Sequence, residues 1–306
     1  MKDIYVNRGV EKILGWPTDT FAIDWKYSDG ATATRRRIHT IVLFVPGNPG
    51  LVEWYIPFFS EILKAIGPDY AIRGASYAGH SVDAQQIHVE EGKKTRPHDK
   101  STNPTSPAGV PSTTLAWTID GQVNHKISYL DKVLGLPEFR DARLIFIGHS
   151  IGCHLVKRML LVRADFLSRT TQCIFLMPFI RMDAPTPHQQ FLDWASKNPD
   201  TSDTILHTLS RVLSTLSPPM LESLLQSMME KKEDREFTAK LIRQTRFPRN
   251  FLGLGLEEIR DVPQTIDVSC VAFVYFKQII SSLYWVLFRQ TKNETFSDLL
   301  FDRFLG

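Results

Sequence analysis

With 306 residues, 23% charged positions and a formal net charge of +3, the chain lacks the concentrated basic surface that phosphate recognition needs, which excludes nucleic acid as its main partner. A hydrophobic content of 43% is ordinary for a globular protein and is enough to bury a large core. The three cysteines, Cys153, Cys173 and Cys270, are too few for a disulfide framework and read as buried, inert thiols. No C-x-x-C or H-E-x-x-H pattern occurs, so no metal site is expected. The opening MKDIYVNRGV has no apolar core, so no secretory signal is expected either.

In chain order, residues 1–30 read as a β-meander, with FAIDWKYSD as one strand. Ile41 to Val45 is a continuous apolar run, as in a strand buried on both faces. It ends in the sharp loop Pro46-Gly47-Asn48-Pro49-Gly50, and residues 51–66 then read as a helix with an aromatic face. YAIRGASYAGHS supplies a further strand and loop. Residues 91–114 are rich in Pro, Ser and Thr without periodicity and read as a flexible loop inside a single domain spanning 1–306. WTIDGQVNHKISYLDKVLG reads as a helix, LIFI (144–147) as a strand and QCIFLMPF (172–179) as the next strand. Residues 188–250 read as a helical cap, broken near Pro218-Pro219 so that residues 213–244 form two helices. VSCVAFVYF (268–276) is a strand candidate. The apolar stretch 268–288, interrupted by Lys277, reads as a strand plus a buried or membrane-surface helix, because a central lysine opposes a bilayer span. Strands alternating with helices predict an α/β fold with a mostly parallel sheet.

The chemistry centres on Gly148-His149-Ser150-Ile151-Gly152, between an apolar strand and an amphipathic helix. In that context G-x-S-x-G reads as a nucleophile elbow. Small residues at Gly148 and Gly152 let the chain turn tightly and hold Ser150 in a strained conformation at the strand end. The loop PGNPG, right after a buried strand, is placed to supply one oxyanion-hole N–H. Asn48 is the candidate, since Pro49 has no N–H. The N–H of Ile151 is the second donor.

VPGNPGLVEWYIPFF, SYAGHS, IDGQVNHKISYL, LIFIGHSIGCHLVKRML and FLMPFIRM, in that order from about residue 40 to 182, resemble the lipid droplet-associated hydrolase family; FLGLGLEEIRDV (251–262) continues the likeness weakly. The resemblance implies an α/β-hydrolase fold and Ser150 as the nucleophile of a cofactor-free serine esterase. It implies a lipid ester substrate of the sterol ester or acylglycerol type, a lipid droplet or endoplasmic reticulum location, and a cap that contacts the droplet or membrane surface.

The segment 268–306 departs from the family pattern. No aspartate stands in the turn directly after Phe276, where Lys277-Gln278-Ile279-Ile280 stands, and no histidine follows His207. The last strand is therefore expected to be missing or remodelled. His154 lies one turn into the elbow helix, His188 and His207 fall in the cap, and His80 and His125 precede the elbow, so each reads as a surface or structural histidine. His149 reads as shaping the turn, Asp183 is a candidate substitute triad acid or else a solvated loop aspartate, and the base stays unassigned. Two accounts follow: this end is an alternative or misjoined one, or the protein has lost catalysis and acts as a droplet- or membrane-associated protein. A different hydrolase on the same fold, such as a peptidase or thioesterase, is a further alternative, because fold does not fix function.

Overall fold

The computed structural model describes residues 3–26, 38–81, 118–178, 187–226, 232–243 and 246–261. Its centre is a six-stranded sheet of β1 (Ile4–Ile13), β2 (Trp16–Trp25), β3 (Thr40–Val45), β4 (Tyr70–Ala75), β5 (Arg143–His149) and β6 (Thr170–Leu176), in the spatial order β1-β2-β4-β3-β5-β6. β4, β3, β5 and β6 run parallel; β1 and β2 form an antiparallel hairpin, and β2 joins the sheet antiparallel to β4. The mostly parallel α/β sheet expected from the sequence is present. Ile41 to Val45 are all buried, as a strand covered on both faces requires.

The alternation along β3 divides the core. Ile41, Leu43 and Val45 face one apolar cluster, shared with Ile119, Val123, Tyr129, Leu155 and Val156. Val42 and Phe44 face another, shared with Ile56, Phe59 and Leu63. The helix α1 (Ile56–Ile66), entered through a single 3-10 turn at Glu53–Tyr55, thus covers one face, while α2 (Ile119–Leu134) and α3 (Ile151–Val162) cover the other. The chain steps from β3 to β4 on one side, then crosses back to place β5 on the other side of β3. That reversal opens a crevice at the carboxyl ends of β3 and β5, where open α/β sheets place their ligands.

Several boundaries differ from the sequence reading. β2 begins at Trp16, five residues before FAIDW, because it pairs with β1 along its whole length. The helix expected from residue 51 starts at the 3-10 turn, since Leu51 and Val52 are still buried in the preceding loop. β6 runs Thr170–Leu176 rather than 172–179 and ends at Met177, which has φ 44°. After the short α4 (Ala164–Arg169) and β6 come α5 (Pro187–Lys197), α6 (Pro199–Thr215), α7 (Pro218–Leu225), α8 (Lys232–Ile242) and α9 (Arg246–Asp261). The break at Pro218-Pro219 is where it was expected. Those prolines open α7, since the first helical position tolerates a missing N–H. Residues 213–244 hold the end of α6 plus two helices rather than two helices alone. Among the described residues, no helix is long and apolar enough to cross a membrane. The loop 91–114, Asp183 and everything from residue 262 onward, including Cys270 and the strand candidate 268–276, lie outside the described residues.

Candidate functional site

Ser150 sits between β5 and α3 with φ 52° and ψ −122°, a left-handed conformation that is costly for a residue with a Cβ. The glycines around it explain how the chain holds that shape. A Cβ on Gly148 would lie 2.8 Å from the Cys153 backbone, and a Cβ on Gly152 would run into the carbonyl oxygens of Val45 and Pro46. The elbow is thus packed backbone against backbone onto the end of β3. Ser150 N–H donates to Leu176 O at 3.0 Å, tying the turn to β6. Ser150 is half-buried, and its hydroxyl does not cap α3 although it occupies the N-cap position. Ile151 opens α3, so its N–H belongs to the first turn, where backbone donors have no helical partner.

The loop 46–50 lies directly against this turn. A Cβ on Gly47 would be 2.9 Å from Ser150 Cβ and 2.7 Å from His149 Nδ1, so only glycine fits there. Gly50 has φ 77° and packs under the Tyr77 ring, a second position where a side chain has no room. Gly50 N–H donates to Gly47 O at 2.7 Å, closing the loop on itself. The buried Tyr77 hydroxyl donates to Pro46 O. Asn48 Nδ2 donates to Phe251 O of α9 at 2.9 Å, across 203 residues of chain.

The histidines weighed from sequence fall in different places. His149 Nδ1 shares a 2.9 Å hydrogen bond with the Tyr55 hydroxyl, and burial lowers its pKa to about 4. His80 is fully buried, shares a 2.5 Å hydrogen bond with Pro49 O, and is also lowered to about 4, chiefly by burial. His125 is fully buried against Thr18 Oγ1 at 2.8 Å, and burial holds its pKa well below the usual range. The bonds of these three rings go to Tyr55, Pro49 and Thr18, not to Ser150. His154 is buried in α3, and His207 is exposed on α6. The side chain of His188 lies outside the described residues, as does Asp183.

Cys153 is buried, and burial pushes its thiol well above the usual range. Cys173 is only half-buried, contrary to expectation, because β6 is paired on one side alone among the described strands; its thiol is raised to about 11 by partial burial.

Three site neighbours carry no motif and were missed in the sequence. Tyr55 anchors His149. Lys126, fully buried on α2, donates to Ala75 O at 2.7 Å and Ser76 O at 2.5 Å and lies 4.9 Å from the Tyr77 ring centroid. Glu258 of α9 is buried beside Asn48, and burial raises its carboxyl to about 8. The only sequence signal for the last two is a charged residue on an otherwise apolar helix face, which is weak by itself. Among the described residues, no group of His, Cys, Asp and Glu is arranged to hold a metal ion.

Comparison with known proteins gives one family. The model of the lipid-droplet associated hydrolases matches residues 38–290. The lipid droplet-associated hydrolase of Drosophila melanogaster is 28% identical over 188 residues, 61% of this chain and 51% of that protein. Its Homo sapiens counterpart is 24% identical over 241 residues, covering 76% of this chain and 66% of that protein. The Gallus gallus protein is 25% identical over 152 residues and is covered to 40%, so the chain spans about half the length of the curated relatives it matches. Among solved structures, the haloalkane dehalogenase DatA from Agrobacterium tumefaciens is similar at 13% identity and a TM-score of 0.46, covering 88% of this chain and 70% of that one.

Proposed function

We propose, for a chain that belongs to the lipid droplet-associated hydrolase family with the α/β-hydrolase fold, that it is a serine hydrolase of lipid esters working at a droplet surface. The observation that carries the reading is the left-handed Ser150, packed through Gly148 and Gly152 onto the end of β3 and facing the loop 46–50. In this reading Ser150 attacks the ester carbonyl and forms an acyl-enzyme, which water then hydrolyses. The N–H groups of Asn48 and Ile151 receive the developing oxyanion; loss of one such donor costs about 10² to 10³ in rate. No cofactor takes part. The triad base stays unassigned, and Asp183 is the candidate acid.

The substrate class proposed is a sterol ester or acylglycerol, with the droplet and the endoplasmic reticulum as the surfaces where it is met. Helices α5–α8 form the proposed cap. Ile205, Leu209 and Val212 recur at four and three residues along α6 and stand exposed, as do Met220 and Leu224 on α7. A helix that leaves an apolar stripe uncovered is suited to lie on a lipid monolayer.

The test is fluorophosphonate labelling of the folded chain beside Ser150→Ala. Labelling that disappears with the substitution is expected; labelling that persists in Ser150→Ala removes Ser150 from the role. A second reading, a lipid-binding protein without catalysis, is favoured by the bonding of His80, His125 and His149 away from Ser150. A folded chain that binds lipid droplets but takes no label would establish it.

A further inference from the structure

Glu258 is out of place for a solvent-facing helix. It lies on α9 and is buried, and its carboxyl is hydrogen-bonded by the Asn48 side chain, which favours the charged form but is outweighed by burial. Its Oε1 has no hydrogen-bond partner among the described residues, and neither does Asn48 Oδ1. A carboxylate can only accept, so two adjacent buried acceptors are left without a donor. One proton on the carboxyl removes the conflict, turning an acceptor into a donor.

The surrounding charges do not offer another solution. From the loop after β4, the buried Tyr77 faces Glu258, and a charge on Glu258 would disfavour ionisation of the phenol. His80 stacks edge-on to Tyr77 and is held neutral by burial. Lys126 lies over the Tyr77 ring, but its ammonium is spent on the Ala75 and Ser76 carbonyls. From the 3-10 turn before α1 and from α3, Tyr55 and Cys153 are both pushed up by burial. On α9 itself, Glu257 accepts from Ile119 N–H at 3.2 Å and pairs with Arg260, which also holds Asp261. No described cation pairs with Glu258.

The same helix straps down both loops that frame the crevice. Phe251 O takes Asn48 Nδ2 at 2.9 Å, and Asn250 Nδ2 donates to Gly79 O at 2.6 Å. The Phe247 ring meets the His80 ring at 5.9 Å between centroids. Asn48 is therefore held by α9 at two points, Phe251 O and Glu258.

We propose that Glu258 is a positioning residue that, as the neutral acid, holds the Asn48 side chain and so fixes the loop 46–50 against the Ser150 elbow. The proposal rests on the hydrolase reading above, because the loop matters only if its N–H receives an oxyanion. Deprotonation would place a charge in a buried site without a partner, and the loop would shift to admit water to it. Activity is then lost on the alkaline side through a group that is neither nucleophile nor base.

The experiment uses the full 306-residue chain. It compares wild type, Glu258→Gln and Glu258→Ala, each checked for folding by circular dichroism. Infrared difference spectra across pH come first. A carboxylic acid C=O band should be present in wild type below about pH 8, vanish above it, and be missing from Glu258→Gln. Fluorophosphonate labelling rates come second. Glu258→Ala should label ~10- to 100-fold more slowly, less than the roughly 10²- to 10³-fold expected when an oxyanion donor is lost outright. Glu258→Gln should recover most of that loss and lack the alkaline fall of wild type. A missing acid band, coincident pH profiles of wild type and Glu258→Gln, or wild-type labelling of Glu258→Ala each overturns the proposal. An unlabelled wild-type chain overturns the hydrolase reading and the positioning role with it, and the acid band still reports the state of Glu258 separately.

Discussion

The elbow end of the sheet and the helices α5–α8 are built on opposite terms. Around Ser150, the chain is packed backbone on backbone. Gly47, Gly50, Gly148 and Gly152 each sit where a Cβ has no room, and Tyr77, Lys126 and His80 bond to loop carbonyls. In α5–α8 the apolar side chains form only small clusters, such as Leu221, Leu225 and Ala239. Trp194, Ile205, Leu209, Val212, Met220 and Leu224 remain exposed. The first region places its atoms by closing every gap. The second leaves apolar surface unburied, and the hydrophobic effect rewards covering it by another surface. Substitutions should therefore act on stability in the first region and on surface binding in the second.

The largest effect is expected at Gly152. A valine there must displace the carbonyls of Val45 and Pro46, which belong to the central strand and its loop. Overpacking of this kind costs about 1–3 kcal/mol or more, and here the obstacle is backbone rather than a flexible side chain. Gly152→Val should remove most of the folding free energy, read as a large fall in the urea midpoint, or abolish folding. Alanine at Gly67, which has φ 92° but open space around it, should cost only about 1 kcal/mol. Equal losses at the two glycines would break the comparison.

Next comes the pH dependence of stability at Glu258. Its carboxyl is raised from the usual 4.5 to about 8, so the folded state binds the extra proton between those limits. Stability from this group is complete below about pH 4.5 and falls as pH rises to about 8, at about 1.4 kcal/mol per pH unit at most. Glu258→Gln should flatten that slope and be more stable than wild type at pH 9. Parallel urea midpoints for the two proteins from pH 5 to pH 9 would contradict it.

How much of this could be read from the sequence differs in the same way. The strands and the elbow were legible because their signals are local. A continuous apolar run marks β3, and G-x-S-x-G between strand and helix marks the turn at Ser150. The end of β6 was misplaced by a few residues, because Met177 leaves the sheet through a positive φ that nothing in its side chain announces. Asn48 was singled out as a candidate donor through the missing N–H of Pro49, which is local chemistry. Glu258 was not, because its meaning comes from contact with a residue 210 positions earlier, and Glu257 beside it is indistinguishable by type yet faces Ile119 and Arg260. Long-range burial of a charge leaves no local pattern to read.

On the helical side, replacing Ile205, Leu209 and Val212 together by serine should weaken binding to phospholipid-coated triolein droplets by ~10- to 100-fold, since each buried apolar side chain contributes about 1.5–3 kcal/mol when it leaves water and binding captures part of it. These side chains are exposed in the folded chain, so the unfolding free energy from urea titration should stay within about 0.5 kcal/mol of wild type. Loss of fold with loss of binding would show that the stripe is packed rather than presented.

The smallest effect separates two hydrogen bonds of nearly equal length. Tyr55 Oη and His149 Nδ1 are 2.9 Å apart, next to the elbow, and Thr208 Oγ1 donates to Thr204 O at 2.9 Å on the exposed face of α6. Tyr55→Phe keeps the ring that packs on Phe44 but removes the hydroxyl, leaving a mostly buried imidazole nitrogen without its partner. That should cost about 1–2 kcal/mol, a drop of roughly 1.5–3 °C in Tm for a chain of 306 residues. Thr208→Ala gives up a bond that water replaces and should change Tm by less than about 1 °C. Labelling at Ser150 should slow only ~3-fold in Tyr55→Phe, because the φ of Ser150 is enforced by Gly148 and Gly152 rather than by the His149 ring. A much larger slowing, with the Tm unchanged, would mean that the Tyr55–His149 pair sets the elbow and the glycines merely permit it.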